Sequence, residues 1–172
     1  SLSQMPVSSH CSFKSWSGLN NQLAECLCDS LRNRVTYFLT RYHEVHNSYG
    51  RAAIRLDGKE LAVFSWIDMY KQDSDLNEQW EETGIWDSDA LELKNKWEKE
   101  GILSDWDFLQ AATDFLQMPI GEALISDNCL IRIFAILDRR AGKRTIKQIQ
   151  DSEKYKTYPE WVQQFYKLRF ES

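Results

Sequence analysis

The chain has 172 residues, enough for one domain with a real core and too few for two comfortable ones. Its net charge of −5 argues against a protein built as a whole to hold nucleic acid or an anionic membrane. No apolar run is long enough to span a bilayer, and the N-terminus lacks the basic-then-apolar pattern of an export signal.

The charge is unevenly placed. Between Asp73 and Asp107 there are 12 acids and 3 bases, whereas between Ser126 and Lys156 there are 8 bases and 4 acids. The seven tryptophans supply large contact areas, in a core or on a docking surface. The four cysteines include Cys26-x-Cys28 and no C-x-x-C pair. Without an export signal they read as reduced thiols in the cytoplasm.

Taken in chain order, residues 1–12 read as irregular. Ser17 then caps a short helix whose buried stripe is Leu19, Leu23, Cys26 and Leu27. Arg34–Tyr42, rich in β-branched and aromatic residues, predicts a strand. Asp57-Gly58 predicts a two-residue type I′ hairpin, because both central residues need positive φ. An unbroken ladder from that turn sets Arg55 opposite Glu60, Ile54 opposite Leu61 and Ala52 opposite Val63. Ile54, Leu61, Ala52 and Val63 then share the core face. The expectation is a three-stranded antiparallel meander over about 34–66.

Residues 67–82 turn helical and acidic, with Met69, Leu76 and Trp80 as anchors. Asp87–Glu100 predicts a helix stopped by Gly101. Ser104 caps the next, with Trp106, Leu109, Ala112 and Leu116 as its stripe and Phe108 and Phe115 beside it. The most apolar run, C-L-I-R-I-F-A-I-L, predicts a central core helix over about 128–140, packed on the sheet and on the helix before it. A buried strand competes with that reading because the run is rich in isoleucine. Asn128 or Asp127 would cap the helix, Arg139 and Arg140 would complement its C-terminal dipole, and Gly142 would sit at C′. Helices at Thr145–Lys154 and Pro159–Phe170 complete an α+β domain, with Pro159 at the first position of the last one.

Two segments, G-R-A-A-I-R-L-D-G-K-E-L and A-I-L-D-R-R-A-G-K-R-T-I, resemble a family of uncharacterised bacterial proteins of about this length. The likeness runs from Phe13 to Leu168. It implies a bacterial cytoplasmic protein with an α+β fold and carries over no residue roles.

Two surfaces are candidate sites. The basic cluster is Arg139, Arg140, Lys143 and Arg144, flanked by Arg132 and Lys147. Guanidinium groups fork onto phosphate oxygens, so it suits a phosphate ligand or nucleic acid. The plainer reading is a charged helix end on a solvated face, and no aromatic platform interleaves the cluster in sequence. The second surface is acidic, with Glu81 and Glu82 set between Trp80 and Trp86. It suits a basic protein partner, or is a solvated helix pair with its tryptophans turned inward. His43 and His46 lack a third ligand at metal spacing. Neither a cofactor fingerprint nor a nucleophile motif occurs. The leading expectation is a non-enzymatic cytoplasmic interaction protein using the acidic segment. Phosphate or nucleic-acid binding through 139–147 comes second, and an enzyme of unstated class third.

Overall fold

Residues 16–41, 50–65 and 96–172 are described by the structure, a computed structural model. Helix α1 (Trp16–Cys26) leads into a sheet of three antiparallel strands, β1 (Val35–Arg41), β2 (Gly50–Leu56) and β3 (Lys59–Ser65), in the order β1-β2-β3. Residues 96–100 are helical. Then follow α2 (Asp105–Leu116), α3 (Ile120–Leu124), α4 (Cys129–Ile136), α5 (Lys143–Ser152), a 3₁₀ turn (Lys154–Thr157) and α6 (Glu160–Glu171). The fold is α+β, with its helices mostly C-terminal, as the sequence predicts. The acidic stretch at 67–82, most of the Asp87–Glu100 helix and His43 and His46 lie outside the described residues.

The Asp57-Gly58 turn has φ of 51° and 84°, the left-handed pair that a type I′ turn requires. Arg34 forks onto Asp57 from outside, at 3.2 and 3.0 Å. Beyond the turn the register departs from the unbroken ladder. Arg55 faces Glu60, but Ile54 faces Ala62, Ala53 faces Val63 and Ala52 faces Phe64. Leu61 is therefore the extra residue of a β-bulge. Its carbonyl accepts a hydrogen bond from Nε2 of Gln164 on α6, at 3.1 Å. The slip turns Phe64 into the core and leaves Leu61 and Val63 only partly covered. An unbroken pairing would bury Val63 and expose the larger Phe64, the worse choice for apolar burial. On the opposite face Arg51 and Arg55 both pair with Glu60, and Arg55 lies over the Phe38 ring.

Helix α2 is held at its start by a capping box. The Ser104 hydroxyl accepts from the Asp107 N–H, and the Asp107 carboxylate accepts from the Ser104 N–H. Its buried face runs through Phe108, Leu109, Ala111, Ala112 and Phe115. Trp106, predicted for that stripe, is 46% exposed, because the aromatic pair at 108 and 115 takes the centre of the face. Phe108 stacks on Phe64 of β3 at 5.7 Å and meets Phe134 of α4 edge to face at 5.6 Å. So, while α1 covers β1, α2 packs against β2 and β3. Helix α4 lies behind it, among α2, α3 and α6, and reaches the sheet where Phe134 meets Tyr37 at 5.4 Å.

The apolar run is a helix, as expected, capped by the Asn128 side chain on the N–H groups of Leu130 and Ile131. Ile131, Phe134 and Leu137 are all buried, and Arg139 and Arg140 are exposed. The helix ends at Ile136, however, several residues short of the predicted 140. Gly142 is the N-cap of α5 rather than the C′ residue of α4. Helix α5 consequently starts at Lys143, earlier than the sequence pattern indicates. Two other starts also shift: Ser17 lies inside α1, and Pro159 is the N-cap of α6, one position before the predicted N1. Gly101 does stop the helix before it, with φ of 77°, and a Cβ there would lie 3.3 Å from the Trp161 indole.

Candidate functional site

The end of α4 is joined to the end of α1. Cys28 N–H donates to the Leu137 carbonyl at 2.9 Å, and Arg139 N–H donates to the Cys26 carbonyl at 2.8 Å. This two-bond bridge aligns Leu27 with Asp138 and stops α4 from continuing, because the chain is now extended. The Asp138 carboxylate is buried in that bridge. It accepts from the Arg140 N–H at 2.7 Å and from Nε and Nη2 of the same residue at 3.1 and 2.9 Å. The Arg140 guanidinium lies above the Phe115 ring, 5.7 Å from its centroid. From α6, Arg169 donates to the carbonyls of Asp138 and Ala141, at 3.0 and 2.7 Å. The turn at 138–142 is thus fastened by α1, by its own aspartate and by the last helix.

The predicted basic cluster divides on this frame. Arg140 is committed to Asp138. Arg139, between the two, faces out and makes no side-chain hydrogen bond or ion pair among the described residues. Lys143 and Lys147, one turn apart on α5, join it in lining an open cleft of about 1000 Å³. Arg144 is exposed but lies outside that cleft. Arg132 is turned away, donating to the Ser126 carbonyl at 2.7 Å and stacking over Tyr158. Trp80, Glu81, Glu82 and Trp86 lie outside the described residues.

The charges on α5 run against helix electrostatics. Lys143 and Arg144 occupy the first turn, where the dipole favours anions, and no acid stands there. Gly142 provides no side chain to cap the free N–H groups. Lys143 and Lys147 are a like-charged i,i+4 pair, which is also unfavourable. Among the described residues neither lysine forms an ion pair, and the one acid along α5 is Asp151, four residues after Lys147.

The rest of the lining comes from distant parts of the chain. Cys28, Asp29, Tyr155, Arg169 and Phe170 all line the cleft, and Asp151 lies further along α5. Sequence reasoning missed this part of the lining. Cys28 is carried there by the Leu27–Asp138 bridge, Tyr155 by the 3₁₀ turn and Phe170 by the last turn of α6, none of which is signalled by neighbouring residues.

Cys26 and Cys129 are poor candidates for chemistry. Burial pushes Cys129 up to about 12. Burial, then the nearby Asp138, also raises Cys26. Neither environment favours the thiolate. Among the described residues no group of three His, Cys, Asp or Glu side chains is placed to hold a metal ion.

A family model matches residues 15–170, nearly the whole chain. The chain belongs to the SF0329 protein family. The SF0329 match takes in the hairpin, the 138–142 turn, all of α5 and the cleft wall as far as Phe170. No curated protein and no solved structure matches it. Among the described residues of this SF0329 chain, no helix is long and apolar enough to cross a membrane.

Proposed function

We infer that this protein is a non-enzymatic binding module whose ligand carries phosphate or a comparable anion, held by Arg139, Lys143 and Lys147. One observation carries the reading: these cations line one cleft at the start of α5, and among the described residues none of them forms an ion pair. Cations left without an ion pair on one shared cleft are what a site awaiting an oppositely charged ligand looks like. Binding is favoured over catalysis because the cleft offers fixed cations, while the Cys26 and Cys129 thiols are driven away from their reactive form. A bacterial cytoplasmic setting is part of the proposal. It is supported by the resemblance of the hairpin and D-R-R-A-G-K-R segments, and by Cys26, Cys28 and Cys129 standing unpaired.

Calorimetric titration with inorganic pyrophosphate tests this, comparing the wild type with a Lys143→Glu/Lys147→Glu variant. The wild type binds at low ionic strength and loses affinity as salt is added. The variant does not bind; Lys143→Glu alone also melts at a higher temperature, since an acid in the first turn of α5 suits the dipole by about 0.3–1 kcal/mol and stands four residues before Lys147. Absence of binding at low salt, or undiminished binding by the variant, overturns the reading.

A further inference from the structure

The cleft contains rings as well as charges. Tyr155 and Phe170 meet edge to face, 5.1 Å between centroids, and line the same cavity as Arg139, Lys143 and Lys147. Tyr166 stacks on Tyr155 at 6.0 Å and fixes its plane. Aromatic surface beside guanidinium and ammonium groups holds a flat base and its phosphates together. Lys143 and Lys147 stand about 6 Å apart along the helix axis, the rise of four residues, a spacing suited to two successive phosphates.

The same cavity is acidic in part. Asp29, Asp151 and Glu153 also line it, so its surface is not continuously positive. A nucleic-acid strand needs a continuous cationic groove for its backbone. The net charge of −5 also opposes a long polyanion. A carboxylate such as Asp151 instead offers acceptors to sugar hydroxyls and exocyclic amines. The volume of about 1000 Å³ suits one small ligand.

From these features we propose that the cleft takes a single nucleotide of the nucleoside-diphosphate class. The phosphates lie on Arg139, Lys143 and Lys147, and the base lies against the half-buried Phe170, which Tyr155 supports from the core. This rests on the anion-binding reading above and adds the base to it. Three probes separate the two at low ionic strength: ADP, inorganic pyrophosphate and a short single-stranded deoxyadenosine oligonucleotide. ADP binds at least roughly tenfold more tightly than pyrophosphate, the scale of one base stacked on an aromatic ring. Phe170→Ala removes that preference and leaves pyrophosphate binding unchanged. If Phe170→Ala fails to fold, Phe170→Leu, which removes the ring and keeps most of the volume, gives the same readout. Equal affinity for ADP and pyrophosphate overturns the nucleotide proposal and leaves anion binding standing. So does an ADP preference that survives loss of the Phe170 ring, or an oligonucleotide that binds more tightly than ADP. Binding of none of the three overturns both readings.

Discussion

Arg140 closes on the carboxylate of Asp138, two residues before it, with Nη2 at 2.9 Å from one oxygen and Nε at 3.1 Å from the other. The aspartate side chain is fully buried, while the arginine side chain is 41% exposed. The pair ties the turn after α4 to the chain that leads into α5. Asp138→Ala removes an acceptor for both the Arg140 side chain and its backbone N–H, and is expected to lower stability by about 1–3 kcal/mol. Arg140→Ala is expected to cost at least as much at neutral pH, because it leaves a buried carboxylate with only the backbone donor. Urea denaturation of both variants checks the order; a loss near zero for Arg140→Ala contradicts it.

The bulge at Leu61 is held from 103 residues away. Gln164→Leu removes the Nε2 donor and leaves the Leu61 carbonyl without its partner from α6, at a cost of about 1 kcal/mol. Hydrogen exchange gives a sharper readout. Amides of β3 lose protection in this variant, while those of α4 do not.

Core placement of the central helix is tested by contrast. Phe134 is 2% exposed and touches Tyr37, Phe108 and Phe115. Phe134→Ala is expected to cost about 3–5 kcal/mol. Ile125, in the preceding turn, is 79% exposed, and Ile125→Ala should stay within about 0.5 kcal/mol of wild type. Chemical denaturation midpoints separate the two.

Glu60 predicts an acid limb. The Arg51 guanidinium, with Arg55 second, holds its carboxyl below the ordinary value of 4.5. A carboxylate depressed in the folded state contributes stability that is complete above the ordinary value and is lost as pH falls through the lower one. Glu60→Gln is therefore expected to lose less stability than wild type between neutral pH and about pH 3. Parallel thermal melts across that range measure the difference, and identical slopes contradict it.

How much of this was legible in sequence depended on how far each signal reached. The Asp57-Gly58 turn, the Ser104 capping box and the Asn128 cap are each carried by residues within one turn of each other, and all are present. The bulge was not legible, because the partner of the Leu61 carbonyl sits on the last helix. Gly142 misled for a related reason. A glycine suits both the end of one helix and the start of the next, and what decides is the bridge to Leu27 that ends α4 early. The cations at 139–147 were visible as a run, but which of them are free was not. That depended on Asp138 being buried and so taking Arg140 for itself. The aromatic wall was invisible, since Tyr155 and Phe170 reach the cleft only through tertiary packing.

Among the described residues of the cleft, Arg169 is the cation whose charge is turned on the protein's own backbone, clasping the carbonyls at 138 and 141. Helix α6 is therefore the fastener of a loop some thirty residues upstream. Removing the Arg169 clasp would loosen the rim on which Arg139 is mounted without touching Arg139 itself. Occupancy of the cleft and anchoring of α6 would then rise and fall together, and a ligand that fits would slow amide exchange in the last turn of that helix.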